Sequence, residues 1–370
     1  MDYRNICGAP ASLLGYGCMR FPTKDGKIDE PRAEALLRRA YEAGVTYFDT
    51  AYPYHDGESE PFLGRVMSQF PRETFLLATK FPCWKPESLD EAKAIFEEQM
   101  EHMANGYVDF FLVHALSAER WAKVKELNLL SYFAEQKRLG RIRKLGFSFH
   151  APYEVFEEII KAYPWDFCQI QFNYMDTEHQ AGLKGLALAE SLGVDVVVME
   201  PVKGGTLAKL PPAAMEPLKA AAPGKTAASW ALRYVAGFPA VKVILSGMSD
   251  EAQLEDNLAT FSPYVPFAKE EAAALEQAVS VLKSRMGNGC TGCRYCLPCA
   301  SGVMIPRVFL TYNNFRRYEN ADEARADYAR VPPLGRAASC IRCGKCEQMC
   351  PQGIPIREEL KAIAAMDWAK

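Results

Sequence analysis

The chain has 370 residues, 49% of them hydrophobic, with 43 basic against 46 acidic side chains and a formal charge of -3. That balance offers no polyanion-binding surface, which excludes nucleic acid as a partner, and the length suits one large barrel plus an appendage. No apolar run reaches ~18 residues and the N-terminal MDYRNICGAP lacks the regions of a signal peptide, so the expectation is a cytoplasmic protein with no membrane association.

From about residue 12 to 260, short apolar strands alternate with helical stretches. The strands are expected at 13–19, 46–51, 75–80, 108–115, 142–149, 167–173, 195–201 and 241–247. Helices are expected over 31–44, 88–105 and 182–193, the first bracketed by Pro31 and Gly44 as start and stop signals. Several strands are apolar throughout, as strands covered on both faces are. Eight such units predict an α/β fold of the (β/α)8 TIM barrel type; an open doubly wound sheet is the rival, but no G-x-G-x-x-G follows the first strand. Beyond 260 a helix over 267–286 leads to a cysteine-rich, mainly helical region with a helical segment at 307–330. The boundary falls near Met286, giving domains 1–286 and 287–370.

Catalytic groups of such a barrel project from the C-terminal ends of its strands. Those ends carry Asp49 after the second strand, Tyr54 in the loop that follows, Lys80 after the third and His114 after the fourth. An unpaired buried carboxylate is costly, and Lys80 is the natural partner for Asp49. A lysine so held beside Tyr54 is expected to favour the phenolate and lower that pKa from ~10, which suits a general acid protonating a carbonyl oxygen. His114 is expected to hold the same oxygen through a ring N–H. Singly, an Asp–Lys pair or a strand-end histidine is often structural; four at three consecutive strand ends are harder to dismiss. Phe21, Trp84 and Trp121 follow strands one, three and four and are candidates for an aromatic wall, with ordinary packing as the alternative.

The runs FDTAYPY, LLATK, DFFLVHA and LGFSFH resemble the aldo/keto reductase family, and the likeness spans essentially the whole barrel. The resemblance implies NAD(P)H-dependent reduction of a small aldehyde or ketone, or oxidation of the alcohol, without a metal at the site. It matches Asp49, Tyr54, Lys80 and His114 to the family's catalytic tetrad, with Tyr54 as proton donor. It also puts Ser148 and Gln169 where the family holds the nicotinamide carboxamide, with Phe149 replacing the usual asparagine and Met199 the usual stacking aromatic. The run Pro201-Val202-Lys203-Gly204-Gly205 fits a loop whose amides approach a pyrophosphate, or else an ordinary turn. By the same resemblance Ser246, Gly247 and Met248 lie on the adenosine phosphate side, and Asp256 and Asn257 at the adenine. Gln253 replaces the arginine that many members use for a 2′-phosphate, so NADP and NAD both remain open.

Twelve cysteines are many for such an enzyme. Cys7, Cys18, Cys83 and Cys168 are scattered, whereas eight fall between Cys290 and Cys350, which in a reducing compartment points to metal rather than disulfides. Cys340, Cys343, Cys346 and Cys350 followed by Pro351 reproduce the C-x2-C-x2-C-x3-C-P run of bacterial ferredoxins. Cys290, Cys293, Cys296 and Cys299 depart from it in the last gap and in Ala300. CASGVMIP at 299–306 echoes CPQGIPI at 350–356, an internal repeat that resembles a dicluster ferredoxin with a long insertion. Two [4Fe–4S] clusters are expected, one on Cys290, Cys293, Cys296 and Cys350, the other on Cys340, Cys343, Cys346 and Cys299. Zinc sites favour two separated C-x2-C pairs over triplets.

Nicotinamide moves two electrons as hydride and each cluster moves one, so exchange between them needs a mediator such as a flavin, for which the sequence carries no recognisable motif. Three readings follow: a carbonyl reductase with structural or regulatory clusters, an electron-transfer module with an external redox protein partner, and a nucleotide-binding redox sensor. The intact set of four favours the first.

Overall fold

The structure, a computed structural model, describes residues 1–369. Eight strands, β1 (Leu14–Gly17), β2 (Tyr47–Asp49), β3 (Leu76–Phe81), β4 (Val108–Leu116), β5 (Ile142–Phe149), β6 (Phe167–Gln171), β7 (Asp195–Met199) and β8 (Val241–Ser246), close into one barrel in sequence order. Every neighbouring pair is parallel, so the expected (β/α)8 architecture is realised. All nine residues of β4 are buried, which accounts for the apolar run in the sequence.

Alternation along the strands separates two apolar layers. Tyr47, Phe110, Phe167, Val197 and Val243 face inward and fill the barrel together with Ile6. Ile6 belongs to a hairpin, Tyr3–Ile6 with Ala9–Ser12, whose residues plug the end where the strands begin. A Cβ at Gly15 of β1 would lie 2.7 Å from Val243 Cγ1, so the filled interior requires glycine there. The outward-facing residues, among them Leu77, Phe111, Phe147 and Val196, pack under the helices. The barrel is a packed solid, which leaves the rim where the strands end as the place for a site.

Two compact units emerge from the chain contacts: Met1–Gly204 with Ala228–Phe267, and Gly205–Ala227 with Ala268 onward. In the second, the helices Ile305–Tyr318, Ala321–Ala329 and Ile356–Ala364 surround a core that includes Val308, Phe309, Tyr328, Leu360 and Trp368. The stretch 307–330, expected as one helical segment, is two helices. Glu319 adopts a left-handed φ of 56° and the Asn320 side chain caps the second helix by accepting from the Glu323 amide. Among the described residues no helix is long and apolar enough to cross a membrane.

Candidate active site and cysteine centres

β2 and β3 are hydrogen-bonded neighbours, which brings Asp49 and Lys80 to adjacent positions at the rim. Lys80 Nζ donates to Asp49 Oδ1 at 2.5 Å, to the Thr50 carbonyl at 2.7 Å and to the Tyr54 hydroxyl at 3.3 Å. The pair is enclosed, with side-chain exposures of 1% for Lys80 and 3% for Asp49. Burial, the largest single influence, pushes Lys80 down, but Asp49 and Tyr54 together outweigh it and hold the ammonium above its ordinary pKa. His114, at the end of β4, sets its ring 6.0 Å from that of Tyr54 and nearly perpendicular to it. Burial, then the charges of Lys80, His150 and Arg120, push His114 well below its usual range. It is therefore a neutral imidazole, and its Nδ1 is buried with no hydrogen-bond partner among the described residues.

One expectation is reversed. Tyr54 is not lowered: burial pushes its pKa up, Lys80 pulls it back only in part, and Asp49 opposes that pull. The sequence displays the cation but not the loss of water around the phenol, and desolvation is the larger effect here.

Behind the rim lies a polar network that sequence reading missed. Glu60, fully buried, accepts from the Thr79 hydroxyl and, at 2.6 Å, from Gln99, which also donates to the Lys80 carbonyl at 3.2 Å. The Thr50 and Ser59 hydroxyls pair at 2.8 Å. These bonds fix the backbone on either side of Lys80. A glutamate in an otherwise apolar helix face, SEPFLGRVM, was the available signal.

Of the three candidate wall aromatics only Trp84 reaches the site, 5.2 Å from the His114 ring, with the Arg120 guanidinium 4.3 Å from its own centroid. Phe21 packs edge-on against Phe62, and Trp121 is buried near Trp165 with its indole N–H on Glu158. Both belong to the apolar layer under the helices, where their large surfaces leave water.

At β5 and β6 the inward-facing Ser148 and Gln169 are neighbours in register. Ser148 Oγ accepts from the Ala115 amide at 2.7 Å, which leaves its hydroxyl proton to donate. Among the described residues Gln169 Nε2 meets only the weak acceptor Met199 Sδ, at 3.6 Å, and its Oε1 is buried without a partner. A buried amide so poorly satisfied at the mouth suits a carboxamide-bearing ligand. Phe149 faces the other way, onto Phe156.

The loop after β7 turns through left-handed Glu200, Lys203, Gly204 and Gly205, with φ of 58°, 50°, 65° and 101°; Pro201 is buried at its base. Such turns aim successive amides to one side. Lys203 is drawn to Asp176 at 2.5 Å. At the end of β8, Ser246 Oγ accepts from Asn257 at 2.7 Å, and beyond it Met248 sends its side chain into the core. Gln253 spends both ends of its amide locally, accepting from the Ser249 amide and donating to Asp250 at 2.7 Å. Asp256, half-buried, shares its helix, Glu251–Thr260. The exposed Arg20, beyond β1, was also missed: a Cβ at Gly247 would lie 2.9 Å from its Cβ, and one at Gly204 3.3 Å from its guanidinium. Its side chain thus spans the loops after β7 and β8.

In the second unit the eight clustered cysteines sort around two cavities. Cys290, Cys293, Cys296 and Cys350 line one, with Ile305 and Ile356. Cys299, Cys340, Cys343 and Cys346 line the other, about 380 Å³ in volume, with Cys296 at its edge. None of the eight is in a disulfide. The two motifs repeat in backbone as well as in sequence. Two residues after the first cysteine stand Gly292 and Arg342, with φ of 72° and 60°; four after it stand Arg294 and Gly344, with 68° and 80°. Gly302 and Gly353, three residues past Cys299 and Cys350, are left-handed, and their amides bond the carbonyls of those cysteines at 3.0 and 3.1 Å. A left-handed arginine is strained, and each copy holds one where the other has glycine, so the surroundings impose the conformation whichever residue stands there.

A closed parallel barrel with a buried Asp–Lys pair at its rim, touching a tyrosine, defines the aldo/keto reductase class of oxidoreductase. The family model described as "Aldo/keto reductase family" matches residues 13–280, and one described as "4Fe-4S dicluster domain" matches 289–354. The chain belongs to the aldo/keto reductase family and carries a C-terminal 4Fe–4S dicluster domain. It is 26% identical over 273 residues to an L-galactose dehydrogenase of Arabidopsis thaliana, covering 68% of this chain and 85% of that one. It is 30% identical over 207 residues to a human aflatoxin B1 aldehyde reductase member 4, covering 54% and 59% respectively. The solved aldo-keto reductase AKR11C1 from Bacillus halodurans, in its holo form, shares the fold with a TM-score of 0.64 at 24% identity, over 75% of this chain and 96% of that one.

Proposed function

We propose that the chain is an NAD(P)H-dependent oxidoreductase that reduces a small aldehyde or ketone, or oxidises the alcohol, with Tyr54 as proton donor. The observation that carries this reading is Lys80 Nζ, 2.5 Å from Asp49 and 3.3 Å from the Tyr54 hydroxyl, with the Lys80 and Asp49 side chains both buried. A reduced nicotinamide, when bound, supplies hydride. Ser148 and Gln169 hold its carboxamide, the loop Pro201–Gly205 offers amides to its pyrophosphate, and the nucleotide is NADP or NAD. The raised pKa keeps Tyr54 protonated at neutral pH, so its proton is available to the carbonyl oxygen. The phenolate left behind is met by the Lys80 ammonium, which Asp49 keeps charged and aimed. Neutral His114 donates a ring N–H to the same oxygen.

Tyr54→Phe tests this. Carbonyl-dependent oxidation of NAD(P)H should fall about 100- to 10,000-fold while nucleotide binding persists. An unchanged rate would sink the assignment.

We further infer that residues 1–286 and 287–370 form the two working halves, and that the second carries two [4Fe–4S] clusters. Cys290, Cys293, Cys296 and Cys350 would hold one, and Cys299, Cys340, Cys343 and Cys346 the other, each set supported by its own cavity. A second reading, that the clusters exchange single electrons with an external carrier, is favoured by Cys293 and Cys343 being exposed. Chelator-treated, cluster-free protein should retain carbonyl turnover under either reading, whereas only the second expects a carrier protein to reduce the clusters.

A further inference from the structure

We propose that the surface over the Cys299–Cys340–Cys343–Cys346 cavity is a docking face for a small acidic one-electron carrier protein, an inference that rests on the reading of the eight cysteines as ligands of two clusters. Four large apolar side chains line this cavity yet remain in water: Tyr295, Leu297, Ile341 and Met349, exposed by 63%, 39%, 66% and 59%. Apolar groups gathered at one spot and left wet mark an interaction surface. Cys343, which lines the same cavity, is exposed, so an electron arriving there has little protein to cross.

Charge names the partner. Residues 287–370 hold twelve Lys and Arg against eight Asp and Glu, although the whole chain is net acidic. Around the cavities Arg342 and Arg357 are taken up by Glu358 and Glu347. Lys345, which lines this cavity, and Arg294, which lines the other and precedes Tyr295, are exposed and make no ion pair among the described residues. An apolar centre with a cationic rim selects an acidic partner and speeds its arrival. The step balances simply: the reduced carrier gives up one electron, one cluster passes from the 2+ to the 1+ level, and no atom or proton moves.

The test uses the full chain, reconstituted anaerobically with its iron assayed. Reduced plant-type [2Fe–2S] ferredoxin, an acidic carrier, is mixed with it, and rapid-freeze EPR follows loss of one signal and growth of the other. The transfer rate should fall about tenfold or more between 50 and 500 mM salt. Arg294→Glu with Lys345→Glu should slow it about tenfold at low salt, while direct reduction by dithionite matches the wild type. Should the double variant fail to load iron, the salt series on the wild type decides alone. Iron-loaded protein whose transfer ignores both salt and charge reversal overturns the docking face and leaves the cluster reading standing. Protein that holds no iron overturns both. A dimer in sedimentation that Ile341→Asp dissociates would assign the face to a second copy of the chain and overturn the carrier.

Discussion

Lys80 donates to the Tyr54 hydroxyl from 3.3 Å, yet the phenol's pKa stands above its ordinary value because burial outweighs the nearby cation. The two directions of reaction should therefore depend on pH differently. Reduction needs Tyr54 protonated, and a raised pKa retains the proton through the neutral range. The kcat/KM for carbonyl reduction should show no loss from Tyr54 ionisation until pH exceeds ~10, whereas alcohol oxidation, which needs the phenolate, should climb over the same interval. Paired pH profiles check this. A reduction profile that falls through pH 8 would show the cation winning instead.

The same lysine is a stability element. Lys80→Met leaves Asp49 buried and unpaired, which should cost about 3–5 kcal/mol of unfolding free energy. Adding Asp49→Asn should return part of that, with a coupling of about 1–3 kcal/mol in a double-mutant cycle measured by denaturant unfolding. Additive losses would mean that the pair is not energetically joined.

Ligand exchange between the cysteine motifs can be read by counting iron. Cys350→Ser with Cys290→Ser damages one proposed set twice and should reduce iron from about eight to about four per chain. Cys350→Ser with Cys340→Ser damages both sets and should leave almost none. If each motif instead served its own cluster, the two double variants would trade outcomes.

Nucleotide preference should turn on Gln253, whose amide is committed to Ser249 and Asp250. Gln253→Arg introduces a fork that can grip a 2′-phosphate, and the NADPH-to-NADH ratio of kcat/KM should rise about tenfold or more. A ratio that stays put would place the phosphate elsewhere.

The barrel was legible because strands such as β4, buried along all nine of its residues, are apolar at nearly every position, with Asp109 and His114 the exceptions. The meeting of Lys80 with Asp49 and Tyr54 was legible because these residues stand at or just after the ends of neighbouring strands. What escaped reading depends on the third dimension. The hairpin at Tyr3–Ile6 is short and carries no distinctive pattern, and Glu60 is a lone acid until Thr79 and Gln99 are seen around it. Arg20 gains meaning only when the loops holding Gly204 and Gly247 come together. The direction of the Tyr54 shift needed the volume of protein around it, which no spacing reveals.

The two cavities are each lined by cysteines from both motifs, with Cys290 and Cys350 on one. For crossed ligation this sets an order of manufacture. The first motif leaves the ribosome with four thiols and can complete neither cage, since one needs Cys350 and the other needs Cys340, Cys343 and Cys346. Metal can be sealed in only after nearly the whole polypeptide exists, so iron loading inspects the finished chain and a product truncated before Cys340 goes unloaded.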